Sequence, residues 1–305
     1  MLSILFIVGG LVGLFIGGEL LVKSAVGFGQ KSGLTPLVIG LTLVAFGTSA
    51  PELAVSVDAV LQDAGEIALS NVVGSNMANI ALVLALAVAL KPVAIGTVTL
   101  RRDIPVMLTA FALFSLLLFD GVLGRLDGVI LVSCLVAYTV YVIKHPSAAD
   151  SDELIDESGS WLKLIAEFSA GLALLVFGGH WLVAGAIDVA GALGVSQAVI
   201  GMSVVAIGTS LPEITASVIA TLRGHSALAL GNVVGSNIWN SFGILGAAAS
   251  IKPIEQGQLD WIMVLAMALV GLILWVFCRT SRELQRWEGL ALLAGYIGFQ
   301  IWLFQ

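Results

Sequence analysis

The sequence predicts an all-α integral membrane protein of ten transmembrane helices, built as two inverted five-helix repeats with broken core helices. Three observations carry that expectation. Hydrophobic residues make up 59% of the 305 and charged residues 11%, with a mean hydropathy of +1.07. A soluble domain of this size cannot cover so much apolar surface with so few charges. The apolar residues gather into segments of spanning length, with nearly all charges in the short gaps between them. Finally, residues 34–86 align without a gap on residues 195–247, an offset of 161, with 24 of 53 positions identical.

The first half holds apolar segments near 2–22, 35–60, 67–90, 103–119 and 128–143. The second holds them near 161–188, 196–221, 227–250, 258–278 and 287–304. The opening MLSILFIVGGLVGLFIGGELLV lacks a basic start and a small-residue cleavage site, and is longer than the core of a secretory signal. It is therefore expected to be the first transmembrane helix. Loops after spans 1, 3, 5, 7 and 9 carry Lys23, Lys31, Lys91, Arg101, Arg102, Lys144, Lys163, Arg223, Arg279, Arg282 and Arg286; the opposite loops carry only Arg125 and Lys252. That bias places both termini outside. Five spans per half is an odd number, so the second half enters the membrane in the opposite sense. The offset also reaches spans 1 and 6, where Gly17-Gly18 and Leu21-Val22 match Gly178-Gly179 and Leu182-Val183.

This divides the chain into a first repeat (1–144), a polar cytoplasmic linker (145–160) and a second repeat (161–305). The linker, HPSAADSDELIDESGS, has no Gly-centred loop with ligands at fixed spacing, so it is expected to be solvated rather than an EF-hand. Cys134 and Cys278 carry no metal-ligand spacing and no disulfide framework. The 13 Lys/Arg are spread along the chain, which excludes a nucleic-acid patch, and the absence of G-x-x-x-x-G-K-[ST] excludes an ATP-driven pump.

The chemistry lies in the doubled motif. Each copy holds Gly-Thr-Ser-x-Pro-Glu and then Gly-Ser-Asn-x-x-Asn inside apolar segments, and polar side chains there mark function by default. Pro51 cannot donate to the carbonyl of Gly47, and Pro212 does the same to Gly208. Broken backbone in a membrane persists only where something satisfies it, and a cation can. Thr48, Glu52 and Ser56 share a helix face, as do Thr209, Glu213 and Ser217. Ser75 with Asn79, and Ser236 with Asn240, repeat the pattern one span later. Together these form a hard-oxygen site suited to Ca²⁺ or Na⁺ and lacking the thiolates or imidazoles of a zinc or copper site. Asn71 and Asn232 are expected to bridge helices by hydrogen bonds. Glu19 and its counterpart His180 are expected to reach toward helix ends.

GTSAPE with GSNMAN, and GTSLPE with GSNIWN, resemble the two repeats of the calcium/cation antiporter superfamily, in its prokaryotic sodium/calcium exchanger-like branch. The resemblance covers nearly the whole chain. It implies that spans 2, 3, 7 and 8 surround the ions while spans 1 and 6 form a long, tilted, sliding pair. It implies Ca²⁺ held by Glu52, Glu213 and the carbonyls of Thr48 and Thr209. It implies Na⁺ sites drawing on Ser49, Ser75, Ser210, Ser236, the carbonyls of Ala45 and Ala206, and the same glutamates, with Asn79 and Asn240 completing the centre. Asn240 stands where several relatives carry Asp, which argues against potassium dependence. The expected activity is export of Ca²⁺ in exchange for Na⁺, the alternative being Ca²⁺/H⁺ exchange on the same glutamates. No cofactor, nucleic acid or obligate protein partner is implied. The expected location is a plasma membrane, the bacterial inner membrane.

Overall fold

The computed structural model describes residues 2–145, 160–193, 208–257 and 259–303. Most of the linker, and the start of the second motif with Ala206, lie outside the described residues. In chain order the helices are α1 (Leu2–Ser32), α2 (Pro36–Thr48), α3 (Ala50–Leu61), α4 (Gly65–Leu90), α5 (99–117) and α6 (Arg125–Lys144). They continue as α7 (Trp161–Ala192), α8 (Leu211–Leu222), α9 (226–251), α10 (Trp261–Ser281) and α11 (Arg286–Leu303).

Described helix covers part of every predicted span. Among the described residues five helices are long and apolar enough to cross a bilayer singly, and α2 with α3 reads as one further span bent by 47°. Spans 1 and 6 run past their expected ends to 31 and 32 residues. At 1.5 Å per residue each is about 46 Å long, more than the ~30 Å hydrocarbon thickness, so each must tilt. The overrun of α1 is possible because Lys23 finds Glu167 of α7 at 3.9 Å instead of ending the helix.

Two short antiparallel ladders fix the topology. β1 (Val93–Ala94) pairs with β4 (Glu283–Leu284), and β2 (Val122–Leu123) pairs with β3 (Ile254–Glu255). The offset of 161 carries β1 onto β3 and β2 onto β4. Because α5 crosses the membrane between β1 and β2, those strands lie on opposite faces. β3 shares a face with β2, so the loop that copies β1 lies across the membrane from it. The two repeats are therefore inverted, independently of any charge count.

The main core runs through α4, α5, α6, α9, α10 and α11, with Phe111, Phe114, Ile80, Leu84 and Met107 fully buried. A second cluster joins α1 and α7 to α2 and α8 through Leu21, Val22, Leu175 and Ile219. Glycines let α1 and α7 touch backbone to backbone. A Cβ on Gly178 would sit 2.8 Å from the Leu14 amide, and one on Gly17 would sit 2.8 Å from the Gly171 carbonyl. Such small-residue seams drive helix association where lipid removes the hydrophobic incentive.

Gly178→Val should therefore force the pair apart, costing about 1–3 kcal/mol and lowering the thermal midpoint of the purified protein. Gly191→Ala, on the same helix but exposed and with no described residue within 4 Å of the added carbon, should leave that midpoint unchanged or raise it.

Candidate functional site

The first break is a single residue, Ser49, and the described part of the second is the turn Thr209–Ser210. Ser49 has φ −84° and ψ 5°, and Ser210 has φ −87° and ψ 2°, both in the sparsely populated bridge region. Proline follows two positions later and starts α3 or α8 in its first turn, where a missing N–H costs nothing. Helical bonding resumes at once, with the Leu53 amide donating to Ser49 O at 3.1 Å and the Ile214 amide to Ser210 O at 2.9 Å. Gly47 and Gly208 keep carbonyls that no proline amide can reach. The Ala45 carbonyl already accepts the Ser49 amide at 3.0 Å, leaving one lone pair for another partner.

Glu52 and Glu213 fall in the first turns of α3 and α8, at the positive ends of those helices. Both are only 2% exposed, and among the described residues no Lys or Arg pairs with either. They lie close enough to interact electrostatically. Ser49 Oγ of one repeat donates to Glu213 Oε1 of the other at 3.5 Å. Glu52 Oε2, Glu213 Oε2, Asn240 Oδ1, Ser236 Oγ and Asn79 Nδ2 are buried without any hydrogen-bond partner. Orphaned polar atoms are costly in a dry interior. Here four of the five are oxygens, the donor set a hard cation takes. Among the described residues no three His, Cys, Asp or Glu cluster as for a transition metal.

A scaffold of amides supports the carboxylates. Asn71 Nδ2 donates to Ser56 Oγ at 3.0 Å and to the Glu52 carbonyl at 3.3 Å; Asn232 Nδ2 donates to Ser217 Oγ at 3.0 Å. The two asparagines bridge their helices in the same way, as their sequence positions predicted. The Thr48 hydroxyl lies 3.2 Å from Asn232 Oδ1, 3.1 Å from the Val44 carbonyl and 3.5 Å from the Ala45 carbonyl, so it can donate to any of the three. Wider, π-type turns interrupt α4 at Asn79–Leu84 and α9 at Trp239–Ile244. Such turns gather at functional sites, and here they begin at or one residue before Asn79 and Asn240.

The structure thus brings Thr48, Ser49, Glu52, Asn79, Glu213, Ser236 and Asn240 into the buried interior. Ser210 and Ser75, also buried, and the half-buried Thr209 form part of the wall of a cavity of about 680 Å³ that extends to Glu66 between α3 and α4. Thr209 is half-buried where Thr48 is fully buried, so chemically identical positions have different surroundings. Glu19 does not reach toward a helix end as expected. It pairs with Arg223 at 2.7 Å, because packing of α1 on α8 places that arginine beside it, a proximity no local pattern could show.

Sequence reasoning missed Tyr296 and Gln300 of α11, which line the same cavity. Two polar residues four apart on one face of an apolar span were the available signal. It also missed Asn76, whose amide donates to Ser241 Oγ at 2.9 Å and ties α4 to α9.

A broken helix in the first repeat, meeting the start of α8 in the second through buried carboxylates that no described cation pairs, inside an inverted repeat, defines a secondary-active membrane transporter. The family model for the sodium/calcium exchanger protein matches residues 2–144 and 163–305, and the chain belongs to that family of multi-pass antiporters, not to any class of enzyme. CaxA of Alkalimonas amylolytica is 35% identical over 100% of this chain and 99% of its own. The sodium/calcium exchanger MaX1 of Methanosarcina acetivorans is 34% identical over 97% and 96%. The sodium-calcium exchanger NCX_Mj, in crystals soaked with 10 mM Na⁺ and zero Ca²⁺, superposes with a TM-score of 0.85 at 30% identity, covering 97% of each chain.

Asn232→Ala should unpair Ser217 and remove one of the three acceptors near the Thr48 hydroxyl. The expected cost is about 1–3 kcal/mol, read as a lowered thermal midpoint. An unchanged midpoint would mean that the amide bridge does not hold the second motif.

Proposed function

We propose that the protein exchanges Ca²⁺ for Na⁺ by alternating access, with Glu52 and Glu213 as the charged ligands of both ions. The observation that carries this reading is the pair of buried, facing carboxylates, each with one oxygen that no donor reaches. Two negative charges balance one Ca²⁺ or two Na⁺. Left empty, the pair would be two unscreened like charges in a low dielectric, a state whose energy lies well above the loaded ones. The site therefore changes face only when filled, and this requirement couples the two fluxes. The carbonyls of Thr48 and Thr209 complete the Ca²⁺ shell. Ser49, Ser75, Ser210, Ser236 and the carbonyls of Ala45 and Ala206 serve Na⁺, and Asn79 and Asn240 close the centre.

The cavity reaches Thr209 and Ser210 from the face of Glu66, opposite the linker. With both termini outside a plasma membrane, that is the external face, from which Na⁺ would load. The Thr-Ser pair before each glutamate supports sodium over protons as the counter-ion. A stoichiometry of three Na⁺ per Ca²⁺ follows from the family resemblance and would make exchange electrogenic.

The test is radioactive Ca²⁺ uptake into proteoliposomes preloaded with Na⁺, beside vesicles carrying only a pH gradient. Uptake on the Na⁺ gradient, enhanced by a favourable potential and abolished in Glu52→Gln and Glu213→Gln, is the expected result. Uptake on the pH gradient alone would replace Na⁺ by H⁺ in this scheme, and transport surviving in both variants would remove the glutamates from it. Asn240→Asp places a third titratable carboxylate beside two others. Its transport should fall off at a higher pH than that of the unsubstituted protein, and an unshifted pH profile would place residue 240 outside the ion cluster.

A further inference from the structure

Because the same backbone occurs twice, the second repeat serves as a control for the first. α5 begins with a widened turn, Thr99–Asp103. Within it Asp103 is completely buried. Its Oδ1 accepts from Arg102 Nε at 2.6 Å and from the Tyr138 hydroxyl of α6 at 2.9 Å; its Oδ2 accepts from Arg102 Nη2 at 3.3 Å. Arg102 Nη1 donates to the His145 carbonyl at 2.9 Å. Burying an ion pair is seldom more stabilising than packing apolar groups of the same volume. The second repeat packs in just that apolar way, since the offset of 161 places Ile262, Met263, Val264 and Phe299 where Arg101, Arg102, Asp103 and Tyr138 stand. The fold therefore does not require the polar cluster. A preference for basic loops on one face accounts for a charge there, but not for a buried carboxylate and phenol that hold it still.

What the cluster holds is one wall of an open groove of about 600 Å³ at the linker end of α5 and α6. Arg101, Arg102 and His145 line its polar rim, and Val98, Pro105 and Val106 its apolar floor. Arg101 is exposed and pairs with no described residue. Arg102 directs three N–H groups to described acceptors, and a guanidinium carries five. The Tyr141 ring stacks on His145 at 4.4 Å and closes the far side. Fixed guanidinium donors above an apolar floor, at the depth where loops meet lipid-facing helix, match a phosphate joined to an acyl chain.

We propose that this groove binds the headgroup of an anionic phospholipid from the linker-side leaflet. Arg101 and Arg102 take the phosphate oxygens, and the floor takes the start of an acyl chain. Inorganic phosphate would meet the same donors but leave the floor wet, so the lipid is the better ligand.

Native mass spectrometry of the full-length protein would compare retention of phosphatidylglycerol with phosphatidylcholine of identical chains. Preferential retention of phosphatidylglycerol is expected, weakened about fivefold in Arg101→Gln and not displaced by millimolar inorganic phosphate. The variant R102M/D103V/Y138F copies the second repeat; it should keep its thermal midpoint in phosphatidylcholine and lose the preference. Should that variant not fold, Arg101→Gln decides alone. Equal retention of the two lipids, a preference unchanged in the variants, or displacement by inorganic phosphate would overturn the proposal. So would a preference that appears only in D150N/D152N/E153Q/D156N/E157Q, which would make the acidic linker the occupant.

Discussion

The rest of the structure depends on one constraint: a polar group inside the bilayer needs a partner, and water is not available to provide one. Pro51 and Pro212 each deprive a carbonyl of its helical donor, and Glu52 and Glu213 bring charge to the same depth. Everything nearby answers that deficit. Asn71 and Asn232 bind the serines one turn past the glutamates, Ser49 reaches across to Glu213, and helical bonding resumes immediately after Ser49 and Ser210. What remains after these contacts is a set of buried atoms, mostly oxygens, facing one another. In the function proposed above, mobile cations supply what is missing, and that is how the protein would tolerate the remainder.

The inverted repeat is what makes such a site affordable to build. One broken helix alone would bring a single carboxylate and one set of loose carbonyls. Two, related by inversion, meet head to head and double the ligand set without new sequence. The ladders β1–β4 and β2–β3 brace this arrangement outside the hydrocarbon, each joining a loop of one repeat to a loop of the other. The glycine seam between α1 and α7 does the equivalent within it, through close backbone contact.

Much of this was legible in the sequence, for identifiable reasons. Offset, span positions and inversion could be read because repetition and hydropathy are properties of the chain itself. The facing of Thr48, Glu52 and Ser56 could be read because helix geometry is fixed. The bridging by Asn71 and Asn232 followed from the cost of an unpaired amide in lipid. Illegible were the features set by packing between distant segments. Arg223 finds Glu19 across 204 positions, and Asn76 finds Ser241 across 165. Tyr296 and Gln300 join the cavity only because α11 lies against it. The widened turns at Asn79 and Trp239 escaped because no residue type encodes a π-type turn as proline encodes a break.

The two copies differ more in surroundings than in sequence, and that difference has mechanistic content. On the linker-side half of the molecule, α2 lies directly on α9: a Cβ on Gly235 would be 2.7 Å from Leu41, and one on Gly231 2.5 Å from the Leu37 carbonyl. The position that matches Gly235 is Gly74, which borders the open cavity and has no described residue within 4 Å of an added Cβ. Thr48 is sealed against Asn232 while Thr209 lines that cavity. Since both copies share the residues that matter, the motif is compatible with a closed environment and with an open one. Nothing in their common chemistry dictates which copy is closed. A molecule with the two environments interchanged would keep the same ligands and the same backbone breaks, and would open toward the linker. On the proposed reading, the near-symmetry of the sequence would make two access states close in energy, so that a small difference in how ions fill the shared centre would be enough to move the protein between them.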